Sequence, residues 1–458
     1  MIPTLNGATN PELQWRSWVH RELQNRYVVQ HSTRQFFVAY AHANIAFRLV
    51  YNWVMVDQEL SIFHDTAPML AVSDLQCPLP GPEVLWMSRN AEEWMANVQS
   101  IYGCTANVNP QLLNSQSLTP SLCDLFQDFL HDNLSRRQSS LTPYQLRLLL
   151  HPLQSLLCHL RQMLSCFSDV LSTRRATSRT VTKASTMLRL EEVQALLQKW
   201  YELSMLLYKA NPNCSATRSN LVLYHLISLN AVTNFPEIER LARREGFDGS
   251  YWELSLRHKR CVYNREEAVF HCGQVMRLLR SMAPDRRPCW WPAAIYRATL
   301  ILWTDSIARL DPNFQKQQPT QSPTQAAQSQ PSPVPTAQPS PVATNGDKAA
   351  ENLPTPTPTT ASTPVAPNMN AGGNAVAVDQ VTPEDPAVIA YLWSGEGVAV
   401  LTRRDGTQVG LDKPAAVLSY GIIAIDEGMS TRIGDGLKRK LMTLGTNWNV
   451  DGLNTSSV

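Results

Sequence analysis

Between Phe314 and Tyr391 the chain contains no phenylalanine, tryptophan or tyrosine, and fourteen of its 31 prolines fall between Pro319 and Pro386. A stretch with no aromatic and few branched apolar residues buries too little surface to offset the entropy of ordering its backbone. Residues 313–384 are therefore expected to be a disordered Pro/Gln/Thr-rich linker. This one feature sets the organisation of the whole chain. Residues 11–310 must hold the main core. Residues 386–450 are too few to hold a good core alone and are expected to dock back on it.

The chain has 458 residues, of which 43% are hydrophobic, so a sizeable core can form. Its formal net charge of +2 gives no whole-chain attraction to DNA or anionic lipid, which leaves only local patches to consider. No apolar run has the length of a membrane span. The opening residues, MIPTLNGATNPEL, carry neither the basic start nor the apolar stretch of a secretory signal. None of the nine cysteines forms a CxxC pair. That pattern suits free thiols in a reducing compartment and argues against a zinc finger or ribbon within these residues.

Helical spacing dominates residues 11–310. Leu190, Val193, Leu197, Trp200, Leu203 and Leu207 form one apolar stripe. LVLYHLISLNAVT and AVFHCGQVMRLLRSM predict two more helices, the second stopping at Pro284. LTPYQLRLLLHPLQSLLCHLRQML is another, with Thr142-Pro143 as its start signal. Strand signals are scarce before residue 390. After it, VAVLTRR and TQVGL flank Asp405-Gly406 and predict a hairpin with a two-residue turn. PAAVLSYGIIAIDEGMS and GLKRKLMTLGTNW predict two further helices. The expected fold class is all-α: a large multi-helix domain with a long disordered insertion and a small β-hairpin near the C-terminus.

Motifs that carry catalytic chemistry are missing from the sequence. There is no glycine-rich phosphate loop, no HExxH and no GxSxG. Gly246–Gly249 and Gly434-Asp435-Gly436 read as turns. His64-Asp65 sits where a helix ends, and capping explains it more simply than acid–base chemistry. His271 and Cys272 are adjacent, so on a helix they point about 100° apart and cannot readily share a metal. A histidine beside a helical core is the simpler reading. No catalytic, cofactor or metal residues are assigned, and the chain is expected not to be an enzyme. Arg240, Arg243 and Arg244 are expected to form a charged helix face with Glu237, Glu239 and Glu245.

Two features invite a functional reading. The connection from Thr173 to Arg189 carries Arg174, Arg175, Arg179 and Lys183 with no acid. It reads either as a nuclear-import or phosphate-contact loop or as a solvated connection between helices. The segment RPCWWPAAIYRATLILW places Trp290 and Trp291 just before Pro292, which suits the first turn of a helix that is apolar nearly all round. Such tryptophans act as packing wedges. No basic residues alternate with them as on a base-stacking platform. The alternative is an effector pocket between helices built from Trp290, Trp291, Tyr296 and Trp303.

Several segments share one further pattern, in order along the chain. They are LQWRSWVHRE with Trp15, Trp18 and Glu22; RLVYNWVMVDQELSIFHDTAPML from Arg48; LQCPLPGPEVLW followed by AEEW; LYHLISLNAVTNFPEIERLARREG from Leu223; WWPAAIYRATLILW; and GDGLKRKLMTLGTNW from Gly434. Together they resemble the regulatory, or middle homology, domain of fungus-specific transcription factors, which lies C-terminal to zinc-cluster or Cys-Cys-His-His zinc fingers. The resemblance implies an all-α domain in a nuclear regulator that modulates transcription by binding an effector or partner. It implies contacts with the transcription machinery, with related regulators or with a second copy of itself. This sequence contains no finger of either kind, so DNA contact and zinc would belong to a segment upstream of it. Two rival readings stand beside this one: a truncated remnant that titrates related regulators, and an enzyme with an unrecognised site between helices.

A second departure from the family pattern is Tyr27–Phe47, which separates the Trp-Trp-Glu element from the helix beginning at Arg48. It reads equally as a retained intron in the gene or as a helical insertion.

Overall fold

The computed structural model describes residues 33–102, 120–136, 141–169, 180–247, 251–310 and 375–448. Trp15, Trp18, Glu22 and residues 313–374 of the expected linker lie outside them, as do residues 27–32 of the Tyr27–Phe47 segment.

The described chain is mostly helical, with a three-stranded sheet near the C-terminus. The helices are α1 (Thr33–His64), α2 (Glu83–Trp86), α3 (Ala91–Tyr102), α4 (Leu122–Leu130), α5 (Pro143–Asp169), α6 (Thr180–Ala210), α7 (Ser215–Val232), α8 (Phe235–Ala242), α9 (Tyr251–Cys261), α10 (Arg265–Ser281) and α11 (Trp291–Ala308). After the linker come α12 (Pro386–Ser394), α13 (Pro414–Asp426) and α14 (Arg432–Asn447). The strands are β1 (Ala375–Ala377), β2 (Val398–Thr402) and β3 (Gln408–Gly410). β1 pairs with β2 in parallel, and β2 pairs with β3 antiparallel.

Local chemistry sets many helix starts. Thr142 and Gln145 form a reciprocal cap at α5, the Thr142 hydroxyl accepting from the Gln145 amide and the Gln145 side chain accepting from the Thr142 amide. Ser121 and Asp124 do the same at α4. Asn234 and Asn264 cap α8 and α10. Asp385 with Pro386 starts α12, and Gly395, at φ 66°, ends it in the left-handed conformation that glycine adopts freely.

Two helices, α7 and α11, are buried nearly all round, as their uniformly apolar sequences require. α7 packs against α5, α6 and α10. α11 packs against α8, α9, α10, α13 and α14. The post-linker helices therefore cover one side of α11 and complete a single core with the first part of the chain.

The structure corrects three details of the sequence reading. First, residues 375–384 belong to the fold rather than to the linker. Val376, Val378 and Asp379 are buried, and the Val378 carbonyl accepts from the Gln274 side chain at 3.1 Å. Composition averaged over some seventy residues hides the three-residue strand Ala375–Ala377. Second, the hairpin loop is longer than two residues. The Arg403 amide donates to Thr407 and the Gly406 amide to Arg403, so residues 404–406 make the turn with Gly406 at φ 83°. Asp405 reinforces it by accepting from the Thr407 amide and hydroxyl. Third, Gly434-Asp435-Gly436 is not a turn. It forms the first turn of α14, because the Thr431 hydroxyl caps the Gly434 amide. Of Gly246–Gly249, Gly246 is left-handed at φ 64°, and 248–249 lie outside the described residues.

Residues 33–47 form the first half of α1, continuous with the helix that begins the Arg48 motif. No described helix is long and apolar enough to cross a membrane.

Candidate functional site

The residues singled out from the sequence sit at separate packing contacts. Trp290 tilts against Phe63 with centroids 5.7 Å apart. Trp291 lies under the Arg287 guanidinium and so close to Gly428 that a Cβ there would overlap its ring. Trp303 is fully buried and meets the Trp448 ring edge-on at 5.4 Å. Tyr296 is partly buried, its hydroxyl 3.5 Å from Glu239 and the Lys440 ammonium over its ring. None of the four lines either of the two cavities described below. Arg174, Arg175 and Arg179 lie outside the described residues, and Lys183 falls in the first turn of α6.

His64 is exposed, while Asp65, at φ 53°, turns its carboxylate onto Arg297. The Asp65 carboxylate is thereby paired with an arginine on α11. Arg240 and Arg243 pair with Glu237, Glu239 and Glu245. Arg244 departs from that face. It donates to the Asn447 carbonyl and stacks over Phe247 and Trp448.

One cavity, of about 210 Å³, lies between α8 and α9 and is lined by Glu237, Arg240, Glu245, Arg257, Arg260 and Cys261 among others. Two of its arginines are already engaged: Arg240 with Glu237, and Arg257 with Glu253 and the Glu245 carbonyl. Burial pushes the Cys261 thiol up to about 12, which makes it a poor nucleophile.

The other cavity is chemically distinct. It is a cleft of about 270 Å³ walled by α6, α7 and α10 and closed at one side by Pro383 and Leu392 from the post-linker segment. α6 brings Gln194, Leu197, Gln198 and Tyr201; α7 brings Tyr224, His225, Ser228 and Ala231; α10 brings Glu267, Phe270 and His271. The spacing 194, 197, 198, 201 is one face of a helix, as are 224, 228, 231 and 267, 270, 271. The Tyr201 and Tyr224 rings stack with centroids 4.9 Å apart. His225 meets Tyr224 and Phe270 edge-on. The Nδ1 atoms of His225 and His271 are 2.8 Å apart, a hydrogen bond between α7 and α10.

Burial and the neighbouring His271 hold the His225 imidazole well below its usual range, and burial brings His271 down to about 4. Both rings are therefore neutral near pH 7. Burial also raises the Glu267 carboxyl above the ordinary value. Among the described residues no group of three or more side chains is arranged to hold a metal ion.

The sequence reading placed His225 on a helix and took His271 for a histidine beside a core. It did not pair them. The one signal was a repeated doublet: Tyr224-His225 and Phe270-His271 each set a histidine beside an aromatic residue on a buried helix.

Comparison with known proteins gives the chain a context. It is 42% identical over 449 residues to the transcription factor PfmaH of Pestalotiopsis fici, covering 98% of this chain and 38% of that protein. It is 41% identical over 406 residues to a transcription factor of Zymoseptoria tritici, covering 87% of this chain and 37% of that protein. Transcription factor 1 of Elsinoe fawcettii is 37% identical over 436 residues, or 95% of this chain and 37% of that protein. The chain thus spans well under half the length of these curated relatives. No family model and no solved structure matches it.

Proposed function

We propose that this chain is the regulatory portion of a fungal transcription regulator of the middle homology type, acting in the nucleus by binding an effector or partner that modulates transcription. The observation that carries the reading is similarity along nearly the whole chain to proteins named as transcription factors. The fold is compatible with it: a helical frame with an open cleft. Contacts with the transcription machinery, with related regulators or with a second copy belong to the same reading. DNA contact and zinc would come only with a finger-bearing segment outside these residues.

The test is to join the chain to an unrelated DNA-binding domain and measure a reporter gene that carries its sites. The expected result is a several-fold change in reporter transcription, in either direction, with the fusion concentrated in the nucleus. A reporter that stays at the level of the DNA-binding domain alone, in both an activation and a repression assay, overturns the reading.

A further inference from the structure

One side of α1 carries an apolar stripe turned to solvent. Val38, Ile45, Leu49, Trp53, Val56 and Leu60 are 42–61% exposed, and His42, also exposed, falls in line with them. At about 100° and 1.5 Å per residue, these positions share a band roughly 80° wide and about 33 Å long. No lysine, arginine, aspartate or glutamate interrupts it. The opposite side of the helix carries Tyr51, Val54, Gln58 and Ile62, all buried, and α1 packs against α3 and α5. Val38, His42 and Ile45 belong to the Tyr27–Phe47 segment and carry the stripe on in phase with the Arg48 motif.

Folding does not require such a surface. Residues of about 150–250 Å² at these exposures leave roughly 550 Å² in one patch, at the upper end of what a lone folded chain shows to water. Covering it with an equal patch removes about 1,100 Å² in all, just past the size a specific interface needs. A contact of that size is reversible, and its partners separate on dilution.

The spacing identifies the occupant. From Val38 to Leu60 the steps are 4, 3, 4, 4, 3 and 4, the same read from either end about Leu49. A second α1 running antiparallel therefore presents the same pattern to the first. With Leu49 on its own copy, Trp53 meets Ile45, His42 meets Val56 and Leu60 meets Val38, so each bulkier side chain faces a smaller one. A parallel copy would set Trp53 on Trp53. The pattern repeats every eleven residues, or about 3.67 per turn, so two such helices can lie together with little supercoiling.

We propose that α1 is the self-association surface of this chain, with two copies pairing antiparallel through the stripe about a two-fold axis at Leu49. A part for this pairing in regulation rests on the reading above; the pairing itself does not.

Sedimentation velocity of the full chain across a wide concentration range tests it. The expected result is a shift from the monomer towards twice its mass as concentration rises. Leu49→Glu sets two carboxylates face to face on the axis and should weaken association about tenfold or more. Position 49 is exposed, so the Tm of the dilute protein should not change. Ile45→Lys and Trp53→Glu should each weaken association when alone. Combined in one chain they bring opposite charges together twice across the antiparallel axis, and association should recover above either single variant. In a parallel pair the same two changes would oppose like charges and lower it further. The combined variant also serves if Leu49→Glu fails to fold. A chain that stays monomeric throughout, association indifferent to Leu49→Glu in a folded protein, or a combined variant no better than the single ones overturns the proposal. Pairing by a chain that fails the tethered-reporter test keeps the surface and removes its regulatory role; a monomer that passes that test removes the surface and keeps the regulatory reading.

Discussion

Arg297 shows how one residue can tie distant parts of the chain together. It is 1% exposed, near the middle of α11. Its guanidinium donates to the Ile62 carbonyl, the Asp65 carboxylate and the Asn230 side chain, and it lies 3.9 Å over the Phe235 ring. A buried cation left without its anion loses far more than the pair gains by existing. Asp65→Ala should therefore cost about 3–5 kcal/mol in urea denaturation, and adding Arg297→Met should recover part of that loss. Equal loss in the single and double variants would mean that the pair matters only through packing. Trp291 makes a simpler case. Buried at the start of α11 against Arg287 and Gly428, it should cost about 3–5 kcal/mol when replaced by alanine.

The histidine pair predicts a pH dependence at the same scale. The unfolded chain takes a proton on each imidazole near 6.5, whereas the folded chain refuses it at His271 until about 4. Below 6.5 the unfolded state binds more protons, so stability falls as pH drops from about 6.5 towards 4. Urea midpoints taken across that window should slope downward with acid. The slope should be shallower in His271→Phe, which has no proton to take up. An identical slope in the two proteins would show that His271 is not held neutral by the fold.

At the scale of elements, α1 is the helix whose sequence misleads most. Its buried positions include Asn44, Gln58 and Ser61 beside Tyr51, Val54 and Ile62, while Leu49, Trp53, Val56 and Leu60 are exposed. On α5, Arg147 donates to the Gln58 side-chain oxygen and Gln154 donates to the Ser61 hydroxyl. Periodicity alone would bury the other face. Because Trp53 is 61% exposed, Trp53→Glu should change folding stability by no more than about 0.5 kcal/mol in dilute urea titrations. A larger loss would show that this face is covered in solution. Gly273 of α10 makes the opposite case. A Cβ there would come within 2.4 Å of the Val378 carbonyl oxygen, a backbone atom that cannot step aside. Gly273→Ala should therefore loosen β1 from α10 at a cost of about 1–3 kcal/mol, visible as faster amide exchange in residues 375–380.

At the scale of the molecule, one polar knot holds the post-linker segment. Arg280 on α10 donates to both Glu427 carboxylate oxygens, to the Thr402 carbonyl, to the Tyr420 hydroxyl and to Asp379. Asp379 in turn accepts from the Thr402 amide and Tyr420 hydroxyl. These contacts join α10 to β2, α13 and the turn after β1. If they and the apolar contacts with α11 supply the binding energy, the linker contributes only effective concentration. Residues 1–315 and 370–458, co-expressed as two chains, should then copurify, and Arg280→Met should weaken that association. Failure of the two intact fragments to associate would overturn this account of the docking.

Much of the helix pattern was legible in the sequence because its causes are local. The Thr142-Pro143 start, the stop at Pro284 and the apolar all-round segment after Trp291 each depend on residues within a few positions of one another. The same holds for the existence of the hairpin. The rest depends on partners far apart in the chain. Nothing near His225 announces His271, 46 residues away. Nothing near Asp65 announces Arg297, and nothing in AVAVD announces that Gly273 and Gln274 will receive it. Nothing near Gln58 or Ser61 announces the Arg147 and Gln154 side chains of α5 that meet them. Sequence by itself determined where this chain would be helical and where it would break, because capping, periodicity and entropy act over one or two turns. Tertiary structure alone decided which polar groups would meet in the interior and where a cleft would remain, because burial is decided by the neighbours that other segments bring.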